Sequence, residues 1–283
     1  MILAGIVLYN PQLERLEENI KSIGPQVDKL VFIDNASVNI HEINNLLDTI
    51  QYEFILISNK KNKGIAAALN QLLQYGEQNG AEWVLTLDQD SVCPNNIIEM
   101  YLKCDDAHDV GIICPIINDR GFGVLSTPPS SGFRNIEICI TSASLTSIKA
   151  WRAVGGFDES MFIDGVDTDF CLSLRENGYK ILQCQNVELL HEIGHNSKII
   201  SICGHKQAVF HHSAFRYYHI CRNIIYNNRK HRGNRPSPLR GLITVLYRLL
   251  LILAYENNKI AKSKAVFKGL IDGFKSPIYR GQL

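Results

Sequence analysis

What this sequence lacks narrows it before anything it contains. Its 29 basic and 28 acidic residues leave a net charge of +1, so no global basic field argues for nucleic acid. No uncharged apolar run reaches the roughly 18–20 residues that span a bilayer. The opening residues, Met1-Ile2-Leu3-Ala4-Gly5-Ile6-Val7-Leu8-Tyr9-Asn10, lack the basic start and small-residue cleavage site of a secretory leader and read as a first strand. The eight cysteines show no CxxC pair and no regular framework. Most sit in apolar surroundings (Cys114, Cys139, Cys171, Cys184), the pattern of reduced, buried thiols in a cytosolic protein. There are no internal repeats and no long low-complexity tract.

What is present is a chain of 283 residues, 46% hydrophobic and 20% charged. That suffices for one large α/β domain with a C-terminal extension, or for two small domains. The first hundred or so residues alternate short apolar strands with amphipathic helices. Strands are predicted at Ile2–Leu8, Leu30–Ile33, Phe54–Ile57 and Trp83–Leu87. A helix is predicted to start at Asn10-Pro11, with Asn as N-cap and Pro at the first helical position. Leu13, Leu16, Ile20 and Ile23 form its apolar stripe; Ile40–Ile50 and Ile65–Leu73 mark two further helices. This rhythm predicts a mainly parallel sheet with helices on both faces. Ligands of such sheets bind beyond the carboxyl ends of the strands. Tyr9-Asn10, Asp34-Asn35 and Asp88–Asp90 all stand at such ends.

After Cys93-Pro94 the rhythm loosens. A helix at Ile97–Leu102 precedes a strand at Val110–Ile117, and Asp119–Arg134 is a Gly/Pro/Ser-rich loop region. Glu137–Leu145 is strand-like, Thr146–Val154 a short helix, and Gly155-Gly156 a turn. Asp167–Asn177 is helical and ends at Gly178; Tyr179–Gln183 and Val187–Leu190 return to strand. From His212 the chain reads as helical, over His212–Lys230, Leu239–Glu256 and Asn258–Gly273.

Asp88-Gln89-Asp90 carries the most chemistry. Two carboxylates one residue apart, at a bend after a buried strand, suit Mg²⁺ or Mn²⁺ holding a diphosphate. Taken alone, such a pair reads equally as a turn of solvated acids. Asp34, Asn35 and Ser37 offer oxygens and amides to a nucleobase and ribose, or form an Asx turn. Asn62, Gly64 and Asn70 pose the same choice, with Gly64 letting backbone approach a ligand at a helix N-terminus. Asp164, Asp167 and Asp169 follow the apolar Met161-Phe162-Ile163. One of them can be the general base that takes a proton from an incoming hydroxyl; chemistry alone leaves the three equal, and the helix dipole explains one of them cheaply.

His191-Glu192-Ile193-Gly194-His195 spells the zinc-protease pattern, which needs both histidines on one helical face. It follows a strand-like run and contains Gly194, so His191 as an added ligand near Asp90 is the better reading. Arg216-Tyr217-Tyr218 and Arg222-Asn223 lend cations and phenols to phosphate or acceptor, or form a helix with a buried aromatic stripe. Leu239–Tyr255, interrupted by Arg240 and Arg248 and preceded by Arg229, Lys230, Arg232 and Arg235, lies on an anionic membrane surface or packs on the rest of the protein or a second subunit.

These stretches together resemble family 2 glycosyltransferases with the GT-A fold, most closely the bacterial rhamnosyltransferases of surface-polysaccharide assembly. The matching segments are Tyr9–Pro11, Val31–Ser37, Asn62–Asn70, Trp83–Ser91, Ile140–Leu145, Val154–Glu159, Phe162–Asp167 and Arg216–Tyr218 with Arg222-Asn223. The resemblance implies a catalytic, nucleotide-sugar-binding domain over residues 1–211 and a helical region over 212–283 for acceptor, membrane or subunit contact. It implies that Asp34 binds base or ribose with Tyr9, Asn10 and Asn35 nearby, and that Asn62, Gly64, Asn70, Gln89 and Arg222 also serve the donor. Asp88 contacts ribose or metal, Asp90 ligates the metal, His191 matches a metal-ligating histidine, and Asp167 stands where the family places its base. Two departures, Val166 for a Glu and Ser173 for an Arg, leave the base intact but withhold acceptor contacts copied from other members.

The implied reaction is an inverting, metal-dependent transfer, with dTDP-L-rhamnose as donor and a saccharide, free or lipid-linked, as acceptor. A cytoplasmic enzyme is expected, with peripheral membrane contact and a homodimer both open. Two alternatives remain: another donor sugar (galactofuranose, glucose or an amino sugar), and a nonenzymatic nucleotide-sugar-binding subunit.

Overall fold

Runs of branched apolar residues form strands where both faces of a sheet are covered, and the first four here do so in a computed structural model. It describes residues 1–104, 108–119, 123–124, 132–191, 198–202, 205–233, 238–279 and 281. Strands β1 (Ile2–Leu8), β2 (Lys29–Asp34), β3 (Phe54–Ser58) and β4 (Trp83–Asp88) alternate with helices α1 (Leu13–Ile23), α2 (Ile40–Leu47) and α3 (Ile65–Gln78). There follow α4 (Ile97–Leu102), β5 (Val110–Asp119), β6 (Gly123–Val124), β7 (Phe133–Asn135), β8 (Ser144–Ser147), α5 (Ile148–Ala153), α6 (Val166–Glu176) and β9 (Lys180–His191). An antiparallel hairpin of β10 (Lys198–Ile202) and β11 (His205–Val209) leads to α7 (Ala214–Lys230), α8 (Pro238–Tyr255) and α9 (Lys259–Lys275).

The chain divides into two compact units. One comprises Met1–Glu159, Asp167–Glu192 and Gly281–Leu283; the other comprises Ser160–Val166 and Ile193–Arg280. The first unit holds a sheet ordered β3-β2-β1-β4-β8-β5-β9-β7, with β6 on β5. The pairs among β1 to β4, and β5 with β9, are parallel; β8, β7 and β6 run antiparallel to their neighbours. The sheet is therefore mostly parallel but mixed. Chain order reverses beside β1, which has β2 on one side and β4 on the other, and such a switch point opens a crevice at the carboxyl ends. Register puts Asp34 beside Leu8 and Asp88 beside Val7. The two acids thus stand two strand spacings apart, roughly 10 Å, at one edge. Leu3, Ile6, Leu8, Phe32 and Leu85 are fully buried, as are Leu16 and Ile23 of α1.

Three elements differ from expectation. The first helix begins at Leu13, not at Asn10-Pro11, because Asn10 is left-handed (φ 50) and its side chain accepts the Val38 N–H instead of capping. Glu137–Leu145 is strand only from Ser144, since Ala143 is left-handed (φ 56) and the carbonyls of Ile140 and Thr141 accept side-chain hydroxyls. The two strands expected around Gln183 and Val187 are one strand, β9, and the break survives as a register shift between Cys114–Gln183 and Ile116–Glu188.

In the second unit α7 packs along α9. A side chain at Gly273 would sit 2.6 Å from the Arg222 carbonyl, so only glycine lets the two backbones approach this closely. Tyr217, Cys221 and Ile225 of α7 share a core with Val245, Ile252 and Val266. At its edge the buried Glu256 accepts from Lys262 Nζ (2.6 Å) and from the Tyr217 hydroxyl.

Candidate active site

The site is built from the loops that leave β1, β2 and β4. Asp34, 2% exposed, spends its carboxylate on the Ala36 and Ser37 amides (3.1 and 3.2 Å), so the Asx turn is real. Ala36 follows at φ 65, a conformation that costs a non-glycine residue about 1 kcal/mol. Ser37 Oγ accepts the Asn10 N–H (2.9 Å), which ties the β1 exit to the β2 exit. Asn35 reaches the next loop: its Nδ2 donates to the Gly64 carbonyl (3.1 Å) and its Oδ1 accepts from Asn59 (3.1 Å). Asn62 Oδ1 accepts the Gly64 N–H (2.8 Å), and Gly64 (φ 86) opens α3, whose N-terminus has no side-chain cap. The Tyr9 ring is half exposed. Its N–H donates to Gln89 Oε1 (2.9 Å), so Gln89 binds the β1 exit to the β4 exit.

Asp88 ends β4 half-buried, and Asp90 is exposed. Their turn is fastened to a segment remote in sequence. Asp88 N–H donates to Ser142 Oγ (3.4 Å), and the Ser91 and Ser142 hydroxyls are hydrogen-bonded to each other. Thr86 Oγ1 donates to the Thr141 carbonyl (2.6 Å). The Thr141 N–H, in turn, donates to Asp167 Oδ1 (3.2 Å). One dipeptide, Thr141-Ser142, therefore holds the Asp88–Ser91 turn with its hydroxyl and the Asp167 carboxylate with its backbone. Asp88 and Asp167 are thereby tied to one dipeptide, and Asp90 lies in the turn that it fastens. One turn of helix beyond Asp167, Cys171 touches Cys139 (3.7 Å), and the bond from Cys139 together with burial holds the Cys171 thiol well above its usual range. All seven described cysteines are free thiols.

Val92 bridges to Leu190, which sets the His191 backbone beside the Asp88–Ser91 turn; the His191 side chain lies outside what is described. His191 ends a strand, so the HExxH spelling forms no helix at its first histidine; residues 192–197 lie outside the described residues. Asn70 faces inward instead. It is 5% exposed, its Nδ2 donates to the Phe157 carbonyl and Glu159 (both 2.9 Å), and its Oδ1 accepts from Trp151 and the Phe157 N–H. Those bonds fill the amide's capacity.

The second unit holds the remaining candidates. Arg216 forms a forked pair with Asp164 (3.0–3.2 Å). Asn223 donates to the Ile163 and Asp164 carbonyls, and Asn227 to that of Gly165. The arginine and two amides on one side of α7 thus grip 163–165. Arg222, 7% exposed, is engaged by Asn223, Ser160 and Ser276 and lies over the Tyr226 ring. Sequence reasoning gave no role to Thr141, Ser142 or Ser91. The signals for them are the run of hydroxyl residues at 141–144 and their place in the segments Ile140–Leu145 and Trp83–Ser91 that carry the family resemblance.

The acid pair suits a divalent cation. Among the described residues no group of three or more His, Cys, Asp or Glu side chains could enclose a metal ion. Two carboxylates at an open strand end match the habit of Mg²⁺ and Mn²⁺, which keep several waters and share the rest of their shell with substrate phosphates.

With this geometry in hand, comparison with known proteins assigns the class. The profile of glycosyl transferase family 2 matches residues 4–171, and the chain belongs to that family. It is a glycosyltransferase. Over 97% of its length, and 95% of the relative's, it is 29% identical to the dTDP-rhamnosyl transferase RfbF of Shigella flexneri. Two solved structures share the fold. The mannosyltransferase PcManGT from Pyrobaculum calidifontis, in complex with GDP-Man and Mn²⁺, aligns with a TM-score of 0.61 at 14% identity, over 98% of this chain and 75% of that one. GalNAc-T7 with UDP, GalNAc and Mn²⁺ aligns with a TM-score of 0.62 at 12% identity over 81% of this chain, which spans about half (48%) of that protein. At such identities the likeness is one of fold, and the fold is GT-A.

Proposed function

We propose that the protein transfers L-rhamnose from dTDP-L-rhamnose to a saccharide acceptor, with inversion at the anomeric carbon, in assembly of a cell-surface polysaccharide. The observation that carries this reading is the junction at Thr141-Ser142, where a turn bearing two acids and a third acid are held by one dipeptide beside the sheet's switch point. The length of the match to RfbF supports the donor. In this reading residues 1–211 bind donor and perform catalysis, and residues 212–283 serve acceptor, membrane or subunit contact.

The roles follow from chemistry. Asp34 with Tyr9, Asn10, Asn35, Asn62, Gly64 and Gln89 receives the nucleoside side of the donor, and Asn70 orders the 157–159 segment. Asp167 accepts the proton of the acceptor hydroxyl as its oxygen bonds to the anomeric carbon. The bond from that carbon to the diphosphate breaks on the opposite side, and dTDP leaves. Asp88, Asp90 and His191 are the residues that would hold Mg²⁺ or Mn²⁺. When bound, such a cation neutralises charge on the departing diphosphate.

A panel of nucleotide sugars, scored by release of nucleoside diphosphate with and without Mn²⁺, tests the reading. Turnover of dTDP-L-rhamnose above all other donors is expected. Preference for UDP-galactofuranose, a glucose donor or an amino-sugar donor would replace the sugar. Binding with no turnover on any acceptor would leave a nonenzymatic binder.

A further inference from the structure

Helix α8 is apolar on two opposite sides. Val245 and Ile252 are buried toward α7. Leu239, Ile243, Leu246, Leu250 and Leu253 are exposed, by 44–66%, at alternating four- and three-residue spacing that sets them along the other side. A helix apolar on two sides, with one side packed, presents a second apolar face that calls for a partner of its own. Helix α9 repeats the arrangement. Val266 and Gly273 face inward, while Ile260, Phe267, Ile271 and Phe274 are exposed by 45–76%. Exposed Lys264, Lys268 and Lys275 flank that row. The two helices touch within the same unit.

Charge decides what covers these faces. Residues 238–275 carry seven lysines and arginines against two acids, in a chain whose net charge is only +1. Both acids are engaged: Glu256 by Lys262 and Tyr217, Asp272 by the Tyr218 hydroxyl. A second copy laid on the same faces would set lysine against lysine with no acid to answer it. An anionic lipid surface supplies an apolar bed and negative charge together. Among the described residues no helix is long and apolar enough to cross a membrane.

We propose that α8 and α9 lay their outer faces into the headgroup region of an anionic bilayer, parallel to its plane. This deepens the transferase reading, on which it rests only for its purpose: it brings the enzyme to an acceptor carried on lipid. The docking itself needs no turnover, so its test is separate. The full chain is floated with phosphatidylglycerol-containing vesicles and with pure phosphatidylcholine vesicles, without donor or acceptor. Binding to the anionic vesicles is expected to exceed binding to the neutral ones at least tenfold, and to fall in about 0.5 M salt. Ile243→Glu with Leu250→Glu is expected to lower it at least tenfold, and Leu102→Glu, an equally exposed apolar site on α4, to leave it unchanged. Lys264→Gln with Lys275→Gln, at two exposed lysines, is expected to cost about fivefold per lysine at low salt. Equal binding to both vesicle types, or retention by both multiple variants, overturns the proposal. So does a wild-type chain that ignores vesicles but forms a dimer which Leu250→Glu splits; the face is then a subunit interface. Loss of vesicle binding with normal nucleoside diphosphate release on a soluble acceptor would sink the docking alone.

Discussion

At the residue scale, the site hinges on Ser142 and its neighbours. Its hydroxyl serves the Asp88 N–H and the buried Ser91 hydroxyl at once, so its removal takes a hydrogen-bond partner from each. Ser142→Ala should cost about 1–3 kcal/mol in stability and lower kcat/KM while leaving the nucleotide side of the donor in place; denaturant melts and steady-state kinetics check both. The sequence pointed to Asp34, Asp88 and Asp90 because strands announce their own ends: an apolar run stops, and an acid or amide follows. It could not reveal Thr141-Ser142, since nothing local says that a hydroxyl pair 51 to 54 residues downstream closes on the β4 turn. Asn70 shows the converse. Sequence reasoning gave it to the donor, yet its amide is spent on Trp151, Phe157 and Glu159, partners visible only after folding.

At the scale of elements, the first four strands and α3, α4 were legible because period and burial agree. Misreadings arose where side chains replaced backbone partners, as at Asn10 and at 137–143, and there periodicity misleads. The helical unit offers two stability tests. Lys262 and Glu256 are 7% and 1% exposed in their side chains, so Lys262→Met should destabilise by about 3–5 kcal/mol by leaving a buried carboxylate without its countercharge, with the Tyr217 hydroxyl still donating to it. The double change with Glu256→Gln should cost less than that single change, which a double-mutant cycle by chemical denaturation measures. His212 supplies a pH test. Burial first, then the nearby Arg216 and Arg248, against the opposing pull of Asp164 and Glu256, push its pKa down to about 4. A folded value below the unfolded one means that the unfolded chain binds the extra proton. Stability is therefore full above about pH 6.5 and declines as pH falls toward 4. His212→Gln should flatten that decline in thermal melts recorded across the range.

At the scale of the whole molecule, the family, the fold and the junction of acids fit one activity, glycosyl transfer. In the proposed reaction Asp167 takes the acceptor's proton, and a cation on the acid pair would neutralise the departing diphosphate. Chelation should abolish turnover and remove most of the thermal stabilisation given by dTDP-L-rhamnose, with Mn²⁺ restoring both, because a ligand that binds only the folded state raises apparent stability by mass action. The most direct measurement is on Asp167→Asn. Calorimetric titration with dTDP-L-rhamnose and Mn²⁺ should give wild-type affinity, and nucleoside diphosphate release with acceptor present should fall by about 10²–10⁴-fold, the usual worth of a general base. Wild-type turnover in that variant would contradict the account.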